Sequence, residues 1–406
     1  MNPTKVQCCV AGGGPAGMML GYLMARAGVE TAVLEKHKDF LRDFRGDTVH
    51  PSTTQIMQDL GLLDEFLKLP HQNVAEMKAV FGDKQVTIAN FSNLKTPCPY
   101  IAFMPQWDFL NFLAAKAKLL PKFHLLMEAE VTELIKEGDR VVGVRATTPQ
   151  GPIEMRADLV VGADGRHSTV STSAGLKLED LHAAIDVFWF RLGGTSRGME
   201  GVAMHANRGR FVFTINRADY LQCAYVLQKG GADRVRARGL DAFRRDLLIA
   251  APELSECVGD LRSWDDVKLL TVSVARLLKW NAPGILCIGD AAHTMSPVGG
   301  VGVNLAVQDA VATANLLARS LRNGTLADSD VEKVQARRLW PAKVVQAFQG
   351  LVQRRVLAPV LSGEAPQTEL PMLLRFMSGS KWAQGLAARF IGLGVRQERV
   401  ASGLLN

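Results

Sequence analysis

No stretch of about eighteen consecutive apolar residues occurs in the 406 residues, which argues against a membrane-spanning helix. The start, Met1-Asn-Pro-Thr-Lys5, runs straight into a strand-like segment. It lacks the basic region, apolar core and small-residue cleavage site of a secretory leader. Cysteine is sparse. The six residues Cys8, Cys9, Cys98, Cys223, Cys257 and Cys287 form no CxxC pair, and four lie in apolar runs. Buried thiols in a reducing cytoplasm are therefore expected, with no metal site. Also missing is any basic run interleaved with aromatics, or any nucleic-acid motif. The net charge of +7 then reads as a solvated basic surface, with attraction of an anionic small molecule as its best functional use.

What is present is a large core. Hydrophobic residues make up 48% and charged residues 21%, and the length exceeds what one core fills, so two structural units are expected. The chain is organised around residues 285–304. Ile285-Leu-Cys-Ile288 reads as a buried strand ended by Gly289-Asp290. A loop with Pro297, Gly299, Gly300 and Gly302 follows, and a helical apolar stripe begins at Val303. Glycines feeding a helix N-terminus offer bare N–H groups to an electron-rich ligand. Asp290, at a strand end, suits sugar-type hydroxyls.

Near the start, Val6 to Ala11 is a strand, followed at once by Gly12-Gly-Gly-Pro-Ala-Gly17, a helical run to Gly28, and the strand Thr31-Ala-Val-Leu34 ending in Glu35. This is strand–GxGxxG–helix–strand–acid in register. Gly12 permits the tight turn, Gly14 lets a pyrophosphate approach the backbone, and Gly17 lets helix and strand pack closely. Pro15 and Ala16 begin the helix, and Lys36 follows the acid. The Glu35 carboxylate suits a ribose diol and disfavours a 2′-phosphate, which points to FAD or NAD. Arg45 lies where it could reach a pyrophosphate. His50 reads as a turn or cap residue rather than a catalyst. Gln106, near the start of a helix, could touch a flavin chain, and Val131 is a candidate for backbone contact with an adenine. A third buried strand ends at Asp164-Gly165.

The trio of GxGxxG, Asp164-Gly165 and Gly289-Asp290 resembles the single-component FAD-dependent aromatic hydroxylases, the para-hydroxybenzoate hydroxylase family, over about residues 5 to 350. Gly289-Asp-Ala-Ala-His-Thr-Met-Ser-Pro297 with Gly299-Gly-Val-Gly-Val-Asn304 is similar to that family's late fingerprint. Arg45-Gly-Asp-Thr-Val-His-Pro51 resembles its arginine loop. The resemblance implies FAD as cofactor and NADH or NADPH as donor. It implies Glu35 on the adenosine ribose, and Arg45, Gln106 and Asp290 on the pyrophosphate and ribityl chain. Gly299, Gly300, Val301, Gly302, Val303 and Asn304 would cap the ring edge. Asp164 would serve FAD binding and reduction. Pro297, Gly299 and Gly300 would lie near the reactive ring, and no catalytic acid or base is assigned. His293 reads as a structural hydrogen bond within the loop. One departure is that the helix after Gln106 carries no arginine where many relatives do.

The implied fold is α/β: a Rossmann-like, doubly wound FAD domain (1–73, 105–182, 281–330), an inserted antiparallel substrate sheet (74–104, 183–280) and C-terminal helices (331–406). In the inserted unit, Phe188, Trp189, Phe190, Phe211, Phe213, Tyr220 and Tyr225 are mostly core, with some lining a cavity between domains. Residues 334–357 read as helix, broken by Pro359, Pro366 and Pro371. The basic, amphipathic stretch 371–395 fits packing onto the protein better than a membrane surface. The implied reaction is hydroxylation of a small aromatic or lipophilic substrate by O2, through a flavin C4a-hydroperoxide. A dehydrogenase or prenyl-chain reductase on the same fold, and a non-catalytic flavin module, are the alternatives. Monomer and homodimer both stay open.

Overall fold

The computed structural model describes residues 4–41, 47–81, 84–193, 202–217, 219–362, 375 and 379–404. Its main sheet has Lys5–Ala11 at the centre, flanked in parallel by Thr31–Glu35 and Gly151–Gly162. Phe123–Met127 and Ile285–Cys287 extend it outward, also in parallel. Towards their carboxyl ends these strands read as apolar runs, Cys8 to Ala11, Ala32 to Leu34 and Leu159 to Val161, because both sheet faces are covered there. The helices Pro15–Arg26 and Gly302–Arg322 pack against each other. A hairpin, Glu130–Glu137 with Arg140–Thr148, turns at Gly138 and joins the edge of Gly151–Gly162.

The second sheet has seven strands, in the order Lys268–Leu270, Ile185–Gly193, Tyr220–Gln228, Arg210–Asn216, Val202–Asn207, Glu76–Phe81, Lys84–Asn90. It departs from the expected antiparallel sheet at one joint, where Val202–Asn207 runs parallel to Glu76–Phe81. The two segments come from distant parts of the chain, so no hairpin dictates their direction. Ile101–Phe103, expected in this sheet, instead pairs with Thr48–Val49 and Gln72–Val74 in a small separate one. Leu269 to Val274 reads in the sequence as one further strand of this sheet; only its first two residues are strand, within Lys268–Leu270, and a separate short strand, Ala275–Leu277, follows in a different sheet.

Alternation along these strands sorts the aromatic residues. Phe188, Phe190 and Tyr225 point to the helix layer and make edge contacts with Phe243 at 5.9, 5.7 and 5.2 Å. Trp189 and Phe213 face the other way. With Met204, Leu270, Val298 and Leu361 they pack, partly buried, against the cluster that includes Val187, Phe211, Val226, Leu357 and Val360.

The helix Asp328–Val352 continues through a π turn, Gln353–Leu357, into Ala358–Ser362. Pro359 therefore does not break it. Pro366 and Pro371 lie outside the described residues. So do 371–374 and 376–378; the helix Lys381–Leu393 buries Ala388 and Ile391 and leaves Trp382 and Leu386 72% and 53% exposed. One segment, Val298–Arg322, is long and apolar enough to cross a membrane, yet 78% of its apolar window is buried inside the fold. The six cysteines are buried, unbridged thiols, and burial pushes those of Cys8, Cys223 and Cys287 up.

Candidate functional site

Three parallel strands stop at the same sheet edge. Ala11 pairs with Gly162, and Gly162 with Cys287, so the residues after each emerge side by side. The ladder runs one step further: Ala163 N donates to Ala11 O at 2.8 Å and Ile288 N to Gly162 O at 2.9 Å. Gly12-to-Gly17, Asp164-Gly165 and Gly289-Asp290 are thereby neighbours at the carboxyl ends of the strands, where open α/β sheets bind ligands.

The glycines divide by role. Gly12 has φ +101°, and a Cβ there would lie 2.4 Å from Ala163 O; one at Gly17 would lie 1.9 Å from Gly12 O. Both are required by the protein's own packing. Gly14 has ordinary φ −71° and ψ −175°, and a Cβ on it would meet nothing within 4 Å. Gly302, which opens the helix Gly302–Arg322, likewise faces open space. Neither packing nor strain explains these two glycines, whereas a ligand lying against the backbone does. No side chain caps either helix N-terminus, at Pro15 or at Gly302. Pro15 and Ala16 form the first turn, with Ala16 buried beneath the loop. Two dipole ends and their bare N–H groups thus face the same edge.

Carboxylates frame the cleft. Glu35, buried at the end of its strand, accepts the Gly13 N–H at 2.8 Å and the His37 N–H at 3.0 Å. Asp164 accepts from Val170 N at 3.1 Å, but its Oδ1 is buried with no hydrogen-bond partner, and burial pushes its carboxyl above the usual range. A buried oxygen without a donor marks a place for a ligand donor. Gly165 turns the chain at φ +86° beside it. Asp290 is exposed on the turn Gly289–Ala291, and Gly289 is wedged between Ala16 and Ala306 of the two helices. Lys36 is exposed just past Glu35, and Val131 is buried beyond the end of Phe123–Met127. Arg45 lies outside the described residues.

The loop from Pro297 to Asn304 is tightly held. Gly299 and Gly300 take φ +80° and +63°. Thr48 Oγ1 donates to Gly300 O at 2.8 Å. Asn304 sends its side chain inward: its Oδ1 accepts from His50 N at 2.9 Å and from Thr53 Oγ1 at 2.7 Å. Asn304 can thus offer a ligand only its backbone. Val301 is buried, while Pro297, Gly302 and Val303 stay partly exposed. His50 is fully buried, with its ring Nδ1 2.8 Å from Ile391 O, so Nδ1 is the protonated nitrogen.

Two charged groupings join residues that the sequence leaves apart; His293, read as a structural hydrogen bond within the loop, instead bonds Asp309 of the helix Gly302–Arg322. Behind Gly289, Asp309 accepts Gly289 N–H at 3.1 Å, pairs with His293 at 2.6 Å and with Arg338 at 2.8 Å. Burial pushes the Asp309 carboxyl up, but His293 and Arg338 outweigh it and hold it below the usual range. Arg338 also reaches Glu398, binding the C-terminal segment to the same turn. Between the sheets, Asp47 pairs with Arg217 at 2.7 Å. Asp47 also accepts the Gln106 N–H; even so, burial leaves its carboxyl above the usual range.

The described residues hold no cluster of His, Cys, Asp and Glu suited to a metal ion. Open glycines, two helix N-termini and an unpartnered buried carboxylate oxygen instead suit a long, phosphate-bearing, hydroxyl-bearing ligand. Residues 5–347 match the model of the FAD binding domain family. The chain belongs to the FAD-dependent aromatic hydroxylase family. The residues present fit FAD, so this hydroxylase is an FAD-dependent oxidoreductase, and the reading as a non-catalytic module is set aside. It is 31% identical over 371 residues, 90% of this chain and 88% of the other, to the 6-methylpretetramide 4-monooxygenase of Streptomyces rimosus. The para-nitrophenol 4-monooxygenase of a Pseudomonas strain is 25% identical, over 78% of each chain. Among solved structures, the OxyS anhydrotetracycline hydroxylase of Streptomyces rimosus superposes with TM-score 0.75 at 24% identity, over 97% of this chain and 77% of that one. The myxobacterial chondrochloren halogenase CndH does so with TM-score 0.76 at 18% identity, over 99% of each. At these identities both show the fold alone, and the halogenase is a reminder that one fold hosts several chemistries.

Proposed function

We propose that this hydroxylase inserts one oxygen atom of O2 into a polycyclic phenolic substrate, with NADH or NADPH as electron donor. The observation that carries this reading is that Trp189, Met204 and Phe213 of the second sheet, and Val298 of the loop that continues into the glycine cradle, all pack partly exposed against one apolar cluster. A broad apolar surface beside the cofactor loop suits a flat ring system. The 31% identical relative named for a polycyclic substrate points the same way. When bound, FAD supplies both hydride acceptance and oxygen activation.

The chain's own residues bind and orient. Glu35 takes the adenosine ribose while fixing the Gly13 loop. Gly14 and the first turn of Pro15–Arg26 would cradle the pyrophosphate, a role that the family resemblance extends to Gln106 and to Arg45. Asp290 would take the ribityl chain, Asp164 Oδ1 would accept a donor from the cofactor, and the N–H groups of Val301 to Val303 would face the ring edge, the Gly300 N–H being held by Pro297 O at 3.0 Å. The apolar wall excludes water from the reacting face.

The test uses purified, FAD-loaded protein with NADH and NADPH in parallel and a panel of polycyclic phenols. Substrate-stimulated NAD(P)H and O2 consumption with a hydroxylated product supports the reading. Turnover that continues without O2 and inserts no oxygen replaces it with the dehydrogenase or reductase alternative.

A further inference from the structure

The helix Asp328–Val352 carries a stripe of glutamines whose side chains bind backbone of the rest of the protein. Gln335 bonds Leu278 O and Trp280 N at 2.9 and 3.0 Å. Gln346 donates to Ala275 O and Thr294 O, both at 3.0 Å. Gln349 donates to Ser296 O and Val298 O, both at 2.8 Å, and accepts from Ser296 N at 3.1 Å. In the π turn that follows, Gln353 accepts from Ala184 N at 3.0 Å. Gln349 is 1% exposed, and two carbonyls and one N–H around it fix which end of its amide is nitrogen.

The place that Gln349 grips is distinctive. Ser296 and Val298 bracket Pro297, at the start of the turn that carries Gly299 and Gly300. On its far side the turn is held by Thr48 through Gly300 O. On its near side, among the described residues, the side chain that clamps the 296 and 298 carbonyls is that of Gln349. Val298 in turn packs in the apolar cluster with Trp189, Met204 and Phe213, to which Leu357 and Val360, further along the same helical run, also belong. A single helix therefore fixes the loop and supplies part of the apolar wall. π turns of this kind recur at functional sites.

We propose that Gln349 is a positioning residue that sets the Pro297–Gly300 turn against the substrate wall, and so governs how completely oxygen reduction is coupled to hydroxylation. This rests on the oxygenase reading and on its placement of the turn beside the ring. In the coupled reaction NAD(P)H, H⁺, O2 and R–H give NAD(P)⁺, R–OH and H2O. With the turn loosened, NAD(P)H, H⁺ and O2 give NAD(P)⁺ and H2O2, and R–H is unchanged. Gln349 touches neither reactant; it acts through the backbone of Ser296 and Val298.

The test compares Gln349→Met, which keeps the bulk and removes three hydrogen bonds, with Gln335→Met, which removes two bonds from the same helix far from the turn. Gln349→Met is expected to lower hydroxylated product per NAD(P)H about fivefold, with a matching rise in H2O2, as befits loss of neutral hydrogen bonds. FAD affinity should change less than about twofold, since the cradle at Gly14 is untouched. Amide hydrogen exchange at Val298 to Gly300 in the FAD-free protein should quicken in Gln349→Met and not in Gln335→Met. Should Gln349→Met fail to fold, Gln349→Asn carries the test, because it stays neutral and is one methylene too short to reach both carbonyls. A parent enzyme that couples beside a Gln349 variant that couples equally well, with unchanged exchange, overturns this proposal alone. A parent that hydroxylates nothing sinks the oxygenase reading and this proposal with it.

Discussion

The Glu35 carboxylate accepts the Gly13 N–H across 2.8 Å, so the acid that closes the nucleotide motif also holds the glycine loop that opens it. Its other oxygen takes the His37 N–H at 3.0 Å. Glu35→Gln replaces one acceptor by a donor, and one of these N–H groups then faces an N–H. FAD affinity of the FAD-free protein, read by flavin fluorescence titration, is expected to fall about tenfold, in line with one lost charge-assisted bond. Unchanged affinity would show that the carboxylate neither holds the loop nor meets the ribose.

Gly14 and Gly17 separate cofactor binding from folding. A Cβ at Gly17 collides with Gly12 O at 1.9 Å, so Gly17→Ala should destabilise the FAD-free protein by about 3 kcal/mol in urea unfolding. At Gly14 a Cβ meets no protein atom. Gly14→Ala should leave that unfolding curve in place and weaken FAD binding roughly tenfold or more, a loss of about 1.4 kcal/mol. Equal stability losses in both variants would mean that Gly14 is only a packing glycine.

Much of this site is legible in the sequence because its signals are local. Gly12 to Glu35 holds the turn, the helix and the acid within one short segment, and Gly289 to Asn304 does the same for the late loop. What is not readable depends on distant partners. Asp47 and Arg217, or Asp309, Arg338 and Glu398, are ordinary charged residues until the fold joins them. Gln349 looks like any polar position on a helix. Alternation marks Phe188 and Trp189 as facing opposite ways, but only the helix layer around Phe243 decides which of them is core. Ile101–Phe103 is buried on both faces, so its pattern carries no information about which sheet it joins.

The Asp47–Arg217 pair, with side chains 12% and 6% exposed, joins the loop before Thr48 to the substrate sheet. Arg217→Met strands a buried carboxylate and should cost roughly 3 to 5 kcal/mol. Asp47→Asn combined with Arg217→Met removes the stranded charge and should recover most of that loss. Urea unfolding of the two single variants and the double variant reads the difference. A double variant as unstable as the sum of the singles would show that the two residues do not act as a pair.

His50 gives the protein an acid limit. Burial pushes its imidazole down from 6.5 to about 4, so the folded state holds it neutral. Its contribution is complete above the ordinary value near 6.5 and is lost as pH falls from there towards 4. The loss over that window is on the order of 3 kcal/mol. His50→Gln keeps a donor for Ile391 O and does not titrate. Its stability should be flatter than the parent's between pH 6.5 and 4, as measured by thermal unfolding across that range. Parallel curves would mean that other groups set the acid limit.

The most direct measurement is oxygen labelling. FAD-loaded protein is given NAD(P)H, a polycyclic phenol that stimulates its oxidation, and O2 enriched in the heavy isotope, and the product is weighed by mass spectrometry. One heavy oxygen atom per product, with none taken from water, is the expected result. A product that carries no label, or that forms equally well without O2, contradicts the account.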